Sequence, residues 1–535
     1  MARALTSPGW YKPVETKREI AMLMTELVRR GAVYFGSRTA VMYGNDKLTF
    51  TQVDQLSNQI ANVFINTLEL AVGTRVGLLL NNSVFTIPVD FGFAKARLAR
   101  VPLNARLSEA EQQQMLQGAG VGILLHGADL ADRARELAEA MPGLRTISIG
   151  DAANTSDLQA LAKAQPTTPP DRKPEAEDIV ITIFTSGTTG KLKAVEHTQA
   201  SWAAMALNIL ANHDVREGDI MLHAASMIHA SGCFILPYWI SGATAAVLPG
   251  FTPASYIEAV ERWKPTALNM VPTMLGMLLD QPGIAEADFN SVRSIIYGAS
   301  PMPRPTINRA LKLWGPRFLQ YYGQTEAPVF ITHLTKEDHI GPNAEQRLAA
   351  CGRPSIDCEI RLVDEDGNEV TPGEVGEIAL RSPFMMRGYF DAPELNAQMA
   401  LPGGFIRTRD VGRFDEDGYL YLVDRTSDMI VTGGYNVYPR EVEDALAAHP
   451  AVREVVVVGI PDDKWGEAVA AFVALRPDQQ ADDAALMAFA RDRLAGYKVP
   501  KSVHFINEVP KSPVGKLLRR AVRDPFWKGR ERRIG

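Results

Sequence analysis

Small hydroxyl residues, glycines and two lysines are concentrated in one short stretch, Thr185-Ser186-Gly187-Thr188-Thr189-Gly190-Lys191-Leu192-Lys193. Glycines let backbone N–H groups come close to an anion, hydroxyls add hydrogen-bond donors, and lysines add positive charge. The composition therefore predicts a phosphate-binding loop. It is not the Walker loop, which needs four residues between its first glycine and a Gly-Lys-Ser/Thr sequence. A flexible surface loop rich in Gly and Thr is the alternative.

The elements that must position this loop are short strands alternating with longer amphipathic stretches. β-branched runs fall at 75–80, 122–125, 145–149 and 179–184, and the last of them leads directly into the loop. Such alternation is typical of α/β layers built around largely parallel sheets. The segment 151–174, rich in Ala, Pro, Thr and Gln, is predicted to form a surface helix and a linker.

The pattern changes in the last third of the chain. Short strands with turns at 359–377 indicate a small β-rich subdomain. Beyond residue 424, a helix at 437–448, strands at 452–460 and 468–475, and a helix at 484–494 make a compact α+β unit. We therefore predict an N-terminal domain of residues 1–424, with the β-rich subdomain at about 350–424, and a C-terminal domain of residues 425–535. The tail from 519 is predicted to dock through its aromatic residues.

Composition excludes several classes of protein. The 535 residues are 46% hydrophobic and 22% charged, which is too apolar for a disordered chain. The net charge of −6 disfavours a generic nucleic-acid binder, because such proteins present a basic surface. The three cysteines, Cys233, Cys351 and Cys358, lack zinc-site spacing and predict neither a disulfide framework nor a structural metal. A cytoplasmic location fits them best.

An uncharged run at 230–255 raises the question of a membrane span. Pro237, Gly242 and the Pro249-Gly250 pair divide the run into pieces too short to cross a bilayer. We therefore predict buried core elements here and no integral membrane association. No signal peptide is expected, because residues 1–13 lack an apolar core.

Several further motifs follow one another along the chain. They are Val101-Pro102-Leu103-Asn104, His229 within Met-Ile-His-Ala-Ser-Gly, Tyr297-Gly298-Ala299-Ser300, Tyr322-Gly323-Gln324-Thr325-Glu326, Arg407-Thr408-Arg409-Asp410, Asp424-Arg425, Gly433-Gly434-Tyr435-Asn436-Val437-Tyr438-Pro439, Tyr497-Lys498-Val499-Pro500 and Pro513-Val514-Gly515-Lys516. With these motifs and the Thr-Ser-Gly-Thr-Thr-Gly loop, nearly the whole chain closely resembles the adenylate-forming superfamily. That superfamily includes acyl-CoA synthetases, carrier-protein-loading adenylation domains and beetle luciferases.

The resemblance implies a fold and a two-step reaction. The fold is α/β, with a large N-terminal domain of stacked sheets, a small β-rich subdomain and a small mobile C-terminal α+β domain. A carboxylate attacks the α-phosphate of ATP to give an acyl adenylate and pyrophosphate, and a thiol, most often that of coenzyme A, then displaces AMP. The implied cofactors are ATP, Mg²⁺ and coenzyme A. Two anions meet in the first step, so the site must neutralise charge and hold the attack in line.

The resemblance also assigns nucleotide-binding roles. The phosphate, adenosine and ribose groups fall to Thr185, Ser186, Gly187, Thr188, Thr189, Gly190, Gly298, Ala299, Ser300, Tyr322, Gly323, Gln324, Thr325, Asp410 and Arg425. Tyr322 would stack on the adenine, with an ordinary core aromatic as the alternative. Asp410 would accept hydrogen bonds from the ribose hydroxyls. Glu326 stands at the position of a Mg²⁺ ligand, although an isolated glutamate is more often a solvated surface charge.

Three residues are implied to be catalytic: Lys516, Lys193 and His229. Lys516 ranks first, because in the family this lysine bridges the carboxylate and the α-phosphate during adenylation; outside its motif it would be a solvated charge. The C-terminal domain is thought to rotate between the half-reactions about a hinge, here Ser427. Gly433 and Gly434 would line the pantetheine tunnel. Lys498 and Arg440 are candidate contacts to the CoA phosphates, but they are also ordinary surface charges.

The chain departs from the family pattern at several positions. Leu192 stands where proline is usual and Ala194 where glycine is usual. Arg409 replaces a glycine before the ribose aspartate, which either adds charge near the nucleotide or reshapes the turn. Ser427 replaces a charged hinge residue, which puts the balance of domain rotation in question.

By analogy, the acid substrate is bound among His229, Ser231, Cys233, Met274, Tyr297 and Tyr321. The set is mainly apolar, as a hydrophobic carboxylate requires. Tyr321 stands where many relatives have glycine, so its ring should shorten or flatten the pocket. Cys233 occupies the position of a gating Trp in some long-chain enzymes. A medium-chain or aryl acid is therefore favoured over a very long fatty acid, while each methionine has the alternative of plain core filling.

The leading hypothesis is an acyl-CoA synthetase of the fatty-acid or aryl-acid type. One alternative passes the acyl group to an amine, giving an amide, or to a carrier protein. Another is a non-enzymatic nucleotide- or acyl-binding homologue, which the retained Lys193, Glu326, Asp410 and Lys516 disfavour. The expected partners are a small-molecule carboxylic acid and CoA; nucleic acid is excluded, and a homodimer would be unsurprising.

Overall fold

Four sheets organise the chain in a computed structural model that describes residues 21–151, 154–186, 192–425, 428–433, 435–477, 479–511 and 517–528. The first has nine strands, in the spatial order Arg353–Pro354, Ala327–Leu334, Phe318–Gln324, Ser294–Gly298, Ala267–Met270, Ile220–His223, Thr244–Val247, Thr39–Tyr43 and Asp46–Thr49. The second has seven, in the order Gly388–Tyr389, Leu192–Thr198, Ile179–Ser186, Ala99–Pro102, Arg75–Leu79, Ile123–Gly127 and Arg145–Ile149. Both are parallel in their centres, as the alternating pattern predicts. The nine-stranded sheet is antiparallel at both ends, and the seven-stranded sheet only at the end that contains Gly388–Tyr389 and Leu192–Thr198.

The two smaller sheets are mainly antiparallel. The third contains Glu359–Val363, Gly376–Arg381, Phe405–Phe414, Ala400–Leu401 and Leu420–Arg425. The fourth contains Tyr435–Val437, Ile430–Thr432, Gly466–Leu475, Val452–Asp462 and Ser502–Phe505. The third sheet confirms the β-rich region predicted at 359–377, and the fourth confirms the α+β unit predicted beyond residue 424.

The helices follow the predicted alternation. The α-helices are Met24–Phe35, Phe50–Asn62, Thr86–Lys95, Glu109–Gly118, Ala131–Ala140, Leu158–Lys163, Gln199–Asn212, Ile235–Ile240, Pro253–Trp263, Pro272–Leu279, Arg304–Trp314, Ala344–Arg347, Pro393–Met399, Pro439–Ala447, Asp483–Arg491 and Arg519–Arg523. A π-helix spans Val63–Thr67, and 3₁₀ turns span Ala128–Leu130, Ala230–Phe234, Glu337–His339, Pro402–Gly404 and Asp524–Trp527. Capping boxes begin three of the α-helices, at Thr49, Ser108 and Thr198, where the hydroxyl accepts from an otherwise unpaired backbone N–H.

One apolar core joins the two large sheets. Residues of both sheets, such as Val41 and Ile181, share it with the helices Met24–Phe35, Phe50–Asn62 and Gln199–Asn212. The uncharged run at 230–255 is absorbed here, since Phe234 and Trp239 are buried in this core. The prediction of buried core elements is confirmed. In the described part of the chain, no helix has the length and apolar character needed to cross a membrane.

The C-terminal unit has its own core, formed by residues such as Ile430, Val457 and Leu486. The tail packs against this unit as predicted: the Trp527 indole donates to the carbonyl of Gly459 at 2.9 Å, and the Phe526 ring lies 5.7 Å from that of Phe472. The three cysteines are free thiols. Within the described ranges, no group of three or more potential ligands could hold a metal ion.

Four buried histidines make the folded protein sensitive to acid. Burial lowers the pKa of His197, His213, His223 and His339 from 6.5 to about 4. Between these values the unfolded chain binds protons that the folded chain does not, so their contribution to stability is complete above pH 6.5 and is lost as the pH falls towards 4. We expect each histidine to steepen the fall in unfolding free energy by up to about 1.4 kcal/mol per pH unit.

Urea unfolding midpoints measured from pH 7 to pH 4.5 test this expectation. A His213→Phe variant should be less stable at pH 7, because the hydroxyl of Tyr238 loses a partner at 3.0 Å, but its stability should fall less steeply with acid. An unchanged slope in this variant would contradict the assignment of a low pKa to His213.

Candidate active site

The predicted phosphate loop joins two paired strands. Ile179–Ser186 runs antiparallel to Leu192–Thr198, with Thr185 opposite Lys193 and Ser186 opposite Leu192. The pairing therefore fixes both ends of the loop. Residues Gly187, Thr188, Thr189, Gly190 and Lys191 lie outside the described residues, as does the side chain of Ser186.

Tyr389 lies between Lys193 and Glu326, the predicted metal ligand, and contacts both. The Nζ of Lys193 lies 5.6 Å from the ring centroid of Tyr389, whose hydroxyl donates to Glu326 Oε1 at 2.6 Å. Tyr389 reaches this place because Gly388–Tyr389 pairs with Leu192–Thr198, and because the backbone N–H of Met386 donates to the carbonyl of Glu326 at 2.7 Å. A cation, a phenol and a carboxylate are thus brought together. We refer to Lys193, Tyr389 and Glu326 as the Lys–Tyr–Glu cluster.

A buried histidine, His197, bonds the backbone next to Glu326 of this cluster. His197 lies on the same strand as Lys193, and its Nε2 is 2.8 Å from the carbonyl of Thr325, next to Glu326. Burial lowers the pKa of His197 to about 4, so the ring is neutral at pH 7 and Nε2–H donates to that carbonyl. Sequence reasoning missed both His197 and Tyr389, since neither stands in a motif we singled out.

The predicted adenine and ribose residues are bonded to each other. The Tyr322 hydroxyl donates to Asp410 Oδ2 at 2.5 Å, and both side chains are buried. This bond connects the nine-stranded sheet with the third sheet, since Tyr322 lies on Phe318–Gln324 and Asp410 on Phe405–Phe414. Hydrogen bonding to an ionised carboxylate fixes its orientation. Arg425 ends a strand of the third sheet, but its side chain lies outside the described set.

The glycines of the adenosine motifs are required by close packing. A Cβ on Gly298 would lie 2.5 Å from the carbonyl oxygen of Tyr321, and one on Gly323 would lie 2.0 Å from that of Val329. Ala299 follows with φ of +66°. Ala299 and Ser300 are partly exposed beyond the strand. Gln324 adds a buried amide whose Nε2 has no hydrogen-bond partner among the described residues, so a donor is available for a ligand.

Arg409 has a left-handed backbone conformation, which glycine adopts more readily than other residues. Its φ is +63°, its backbone N–H donates to Glu377 Oε1 at 3.0 Å, and its side-chain Nε lies 3.3 Å from the sulfur of Met399. Glu377 also pairs with Arg407 at 2.7 Å. The backbone is therefore left-handed at residue 409, and the side chain of Arg409 contacts Met399.

A pair of substitutions tests whether this turn is strained. A residue with a Cβ in the left-handed region costs about 1 kcal/mol relative to glycine. Arg409→Ala removes the side chain and keeps the strain, whereas Arg409→Gly removes both. We expect the glycine variant to unfold at higher temperature than the alanine variant in differential scanning calorimetry. Equal melting temperatures would show that the turn relaxes.

The residues predicted for the acid divide between two core clusters. Ser231 and Cys233 lie in the turn Ala230–Phe234, directly after His229, whose Nε2 is 3.4 Å from the side-chain amide nitrogen of Asn104. Cys233 shares the first core cluster with Tyr321. Tyr321 is buried, and its ring stacks on Phe330 with centroids 5.7 Å apart.

Met274 and Tyr297 belong instead to the second core cluster, where the Tyr297 hydroxyl bonds Gln320 at 3.0 Å and His339 at 2.9 Å. Cys233 and Tyr321 therefore lie in a different core cluster from Met274 and Tyr297.

The residues predicted to contact coenzyme A lie in the C-terminal unit. Gly433 has φ of +58°, and a Cβ there would lie 2.7 Å from the ring of Trp465. Lys498 is paired with Glu441 at 2.6 Å, and Arg440 lies 3.8 Å from Asp444. Gly434, Ser427 and Lys516 lie outside the described residues.

Comparison with known proteins accounts for this arrangement. Residues 28–390 match the AMP-binding enzyme family, and residues 441–516 match the AMP-binding enzyme C-terminal domain. A medium/long-chain fatty acid–CoA ligase of Mycobacterium tuberculosis is 36% identical, over 93% of this chain and 89% of that protein. A feruloyl-CoA synthase of Amycolatopsis is 33% identical, over 91% and 96%. The solved structure of an amide bond synthetase from Marinactinospora thermotolerans superposes with a TM-score of 0.85 and 30% identity, over 94% and 100%.

Proposed function

This chain belongs to the AMP-binding enzyme family, and from that membership we propose that it activates a carboxylic acid with ATP and transfers the acyl group to coenzyme A. It is an AMP-forming acid–CoA ligase. In the first step the acid's carboxylate oxygen bonds to the α-phosphorus and pyrophosphate leaves. In the second step the CoA sulfur bonds to the acyl carbon, AMP leaves with the electron pair, and the thiol proton is released.

The observation that carries the proposal is the Lys–Tyr–Glu cluster beside the fixed ends of the phosphate loop. Lys193 supplies positive charge where Thr185 and Ser186 lead into the loop. Glu326 supplies the single carboxylate that Mg²⁺ typically accepts alongside phosphate oxygens. Mg²⁺, when bound, neutralises phosphate charge. Tyr389 acts as a positioning residue, because its hydroxyl bond restricts the orientation of the carboxylate.

Asp410 and Tyr322 would hold the ribose and the adenine of the nucleotide. Because Tyr322 donates to Oδ2, the carboxylate is oriented before ATP arrives, which is the condition for accepting bonds from two ribose hydroxyls. The unpartnered Gln324 amide supports a polar ligand at this place. We further propose Arg425 for ribose or phosphate, Lys516 and His229 for the reacting groups, Gly433 and Gly434 for the pantetheine arm, and Ser427 for the hinge.

Two broader assignments are part of the same proposal. We propose the domain boundary at 424/425, at the last residue of the strand Leu420–Arg425 in the third sheet and shortly before Ile430, where the fourth sheet begins. Three free cysteines and two substrates, ATP and CoA, that are abundant in the cytoplasm support a cytoplasmic location.

The acceptor has a second candidate. The structural similarity to an amide bond synthetase, at 30% identity, supports an amine as the alternative acceptor. The two candidates share the first step and differ only in which nucleophile displaces AMP.

Mass spectrometry of products decides between them. The full chain is incubated with ATP, Mg²⁺, coenzyme A and a panel of aliphatic and aryl acids, with and without a set of amines. Acyl-CoA that depends on ATP and CoA is the expected product. Acyl adenylate without thioester, converted to amide when amines are added, would replace the CoA assignment. No adenylate and no AMP from any acid would overturn the proposed activity itself.

A further inference from the structure

A fully buried histidine has one ring nitrogen without a partner. His223 ends the strand Ile220–His223 and is 0% exposed. Its Nδ1 lies 2.9 Å from the hydroxyl of Ser231, whereas its Nε2 has no hydrogen-bond partner in the described part of the chain. Buried polar atoms in native proteins are seldom left in this way, so a ligand atom or a water is expected at Nε2.

This histidine adjoins the residues predicted to bind the acid. Ser231, its partner, lies in the 3₁₀ turn Ala230–Phe234, which begins directly after His229. On the neighbouring strand Leu268 is in register with Leu222, so the next residue, Asn269, lies beside His223. The strand register and the Ser231 bond therefore place three polar residues next to the residues predicted to bind the acid. We refer to His223, Ser231 and Asn269 as the polar strip.

Aromatic rings border the polar strip. Burial raises the pKa of the Tyr321 hydroxyl, and the side chain of Asn269 is close enough to oppose that rise, so this tyrosine borders the strip at one end. The ring of Tyr321 stacks on Phe330 and lies 6.0 Å from that of Phe234, measured between centroids. Flat faces of this kind favour a flat ring over a flexible chain, because aromatic pairs gain from defined geometry.

The strip is neutral at pH 7. Burial lowers the pKa of His223 to about 4 and raises that of the nearby Cys233 thiol to about 12. Arg100 and Asp90, whose charges act on Cys233, form an ion pair with each other. A second carboxylate on the substrate would be desolvated here without a counter-charge from these groups, whereas a hydroxyl could donate to or accept from the imidazole in either tautomer.

We propose that His223 Nε2 recognises a neutral hydroxyl group on the acid, so that the substrate class is a hydroxylated aryl acid. This inference rests on the proposed acid-activating function and specifies its substrate. His223 thereby acts as a specificity-determining residue, and Ser231 acts as a positioning residue that holds the ring through Nδ1.

The test compares acids that differ by one hydroxyl. The full chain is assayed with 4-hydroxycinnamate against cinnamate and 4-hydroxybenzoate against benzoate, with octanoate as an alkyl reference, and kcat/KM is measured from AMP release. An unsatisfied buried hydrogen-bonding group predicts a preference of about ten- to hundredfold for the hydroxylated member of at least one pair. His223→Phe keeps a ring and removes both nitrogens, so the ratio should fall to near one.

Two further variants separate recognition from general damage to the core. His213→Phe removes another buried neutral histidine, one that bonds Tyr238, and it should keep the wild-type ratio. Ser231→Ala leaves His223 in place and should lower the ratio to a value between that of the wild type and one. This variant still tests the proposal if His223→Phe fails to fold. A wild-type ratio near one, or a ratio unchanged by Ser231→Ala and His223→Phe, would overturn the proposal and assign Nε2 to a water.

Failure of the proposed function gives a different result. If no acid of the panel yields AMP, the activity assignment falls, and titration calorimetry of the same acid pairs with the ATP-loaded protein then decides the hydroxyl preference. Tighter binding of the hydroxylated acid by about tenfold, lost in His223→Phe, would still support recognition by His223. Equal or undetectable binding of both members would overturn it.

Discussion

Replacement of Lys516 by alanine is expected to lower the rate of acyl-adenylate formation about 10²- to 10³-fold while leaving the second half-reaction largely intact. Adenylation brings two anions together, the acid's carboxylate and the α-phosphate, and a lysine that contacts both stabilises charge in the transition state. In thioester formation from a preformed adenylate, no carboxylate has to approach the α-phosphate. The measurements are ATP–pyrophosphate exchange for the first step and acyl-CoA production from synthetic acyl adenylate for the second.

A lysine from the same unit provides the matched control. Lys511, five positions earlier, is ion-paired with Glu454 and is assigned no contact with ATP or the acid. Lys511→Ala should retain exchange activity within about a factor of two, since a partly exposed ion pair contributes little. Equal loss of both half-reactions in the Lys516 variant would contradict its assignment to the first step.

Replacement of Glu326 by glutamine is expected to reduce kcat/KM for ATP about 10²- to 10³-fold. The substitution keeps an oxygen that accepts from the Tyr389 hydroxyl, so the packing changes little, but it removes the negative charge that we propose binds Mg²⁺. The Mg²⁺ concentration needed for half-maximal exchange should rise in parallel. Titration of exchange activity with Mg²⁺ at fixed ATP measures both effects.

Two companion variants resolve the role of Glu326. Tyr389→Phe removes only the bond that orients the carboxylate, and we expect a smaller loss, of about tenfold. Glu337→Gln changes an exposed carboxylate in the turn Glu337–His339, which follows the strand that begins after Glu326. This variant should leave the Mg²⁺ dependence unchanged. A Glu326→Gln enzyme with normal Mg²⁺ dependence would exclude this residue as a metal ligand.

The predicted and observed elements agree wherever local pattern was sufficient. The strand predicted at 145–149 is Arg145–Ile149, and the helix predicted at 437–448 is Pro439–Ala447. These elements are marked by β-branched runs or amphipathic periodicity, which act between neighbours in the chain. Their ends differ by a few residues, because caps and backbone hydrogen bonds decide where an element stops.

The conformation of Arg409 could not be predicted from the sequence. The sequence left open whether Arg409 adds charge near the nucleotide or reshapes the turn. The structure shows φ of +63° and a contact to Met399, so a residue with a long side chain occupies a left-handed backbone position that favours glycine. Nothing in the local sequence predicts this, since the conformation is held by the bond to Glu377, on a neighbouring strand.

The sequence by itself determined the α/β class, the order of the elements and the chemical types at the site, because these depend on residue periodicity and on motifs read along the chain. Only the tertiary structure decided which groups meet. Tyr389 bonds Glu326 across 63 positions, Tyr322 bonds Asp410 across 88, and Asn104 lies against His229 across 125. Such meetings follow from strand order and register between distant segments, and the unpartnered nitrogen of His223 is recognised only when every neighbour is in place.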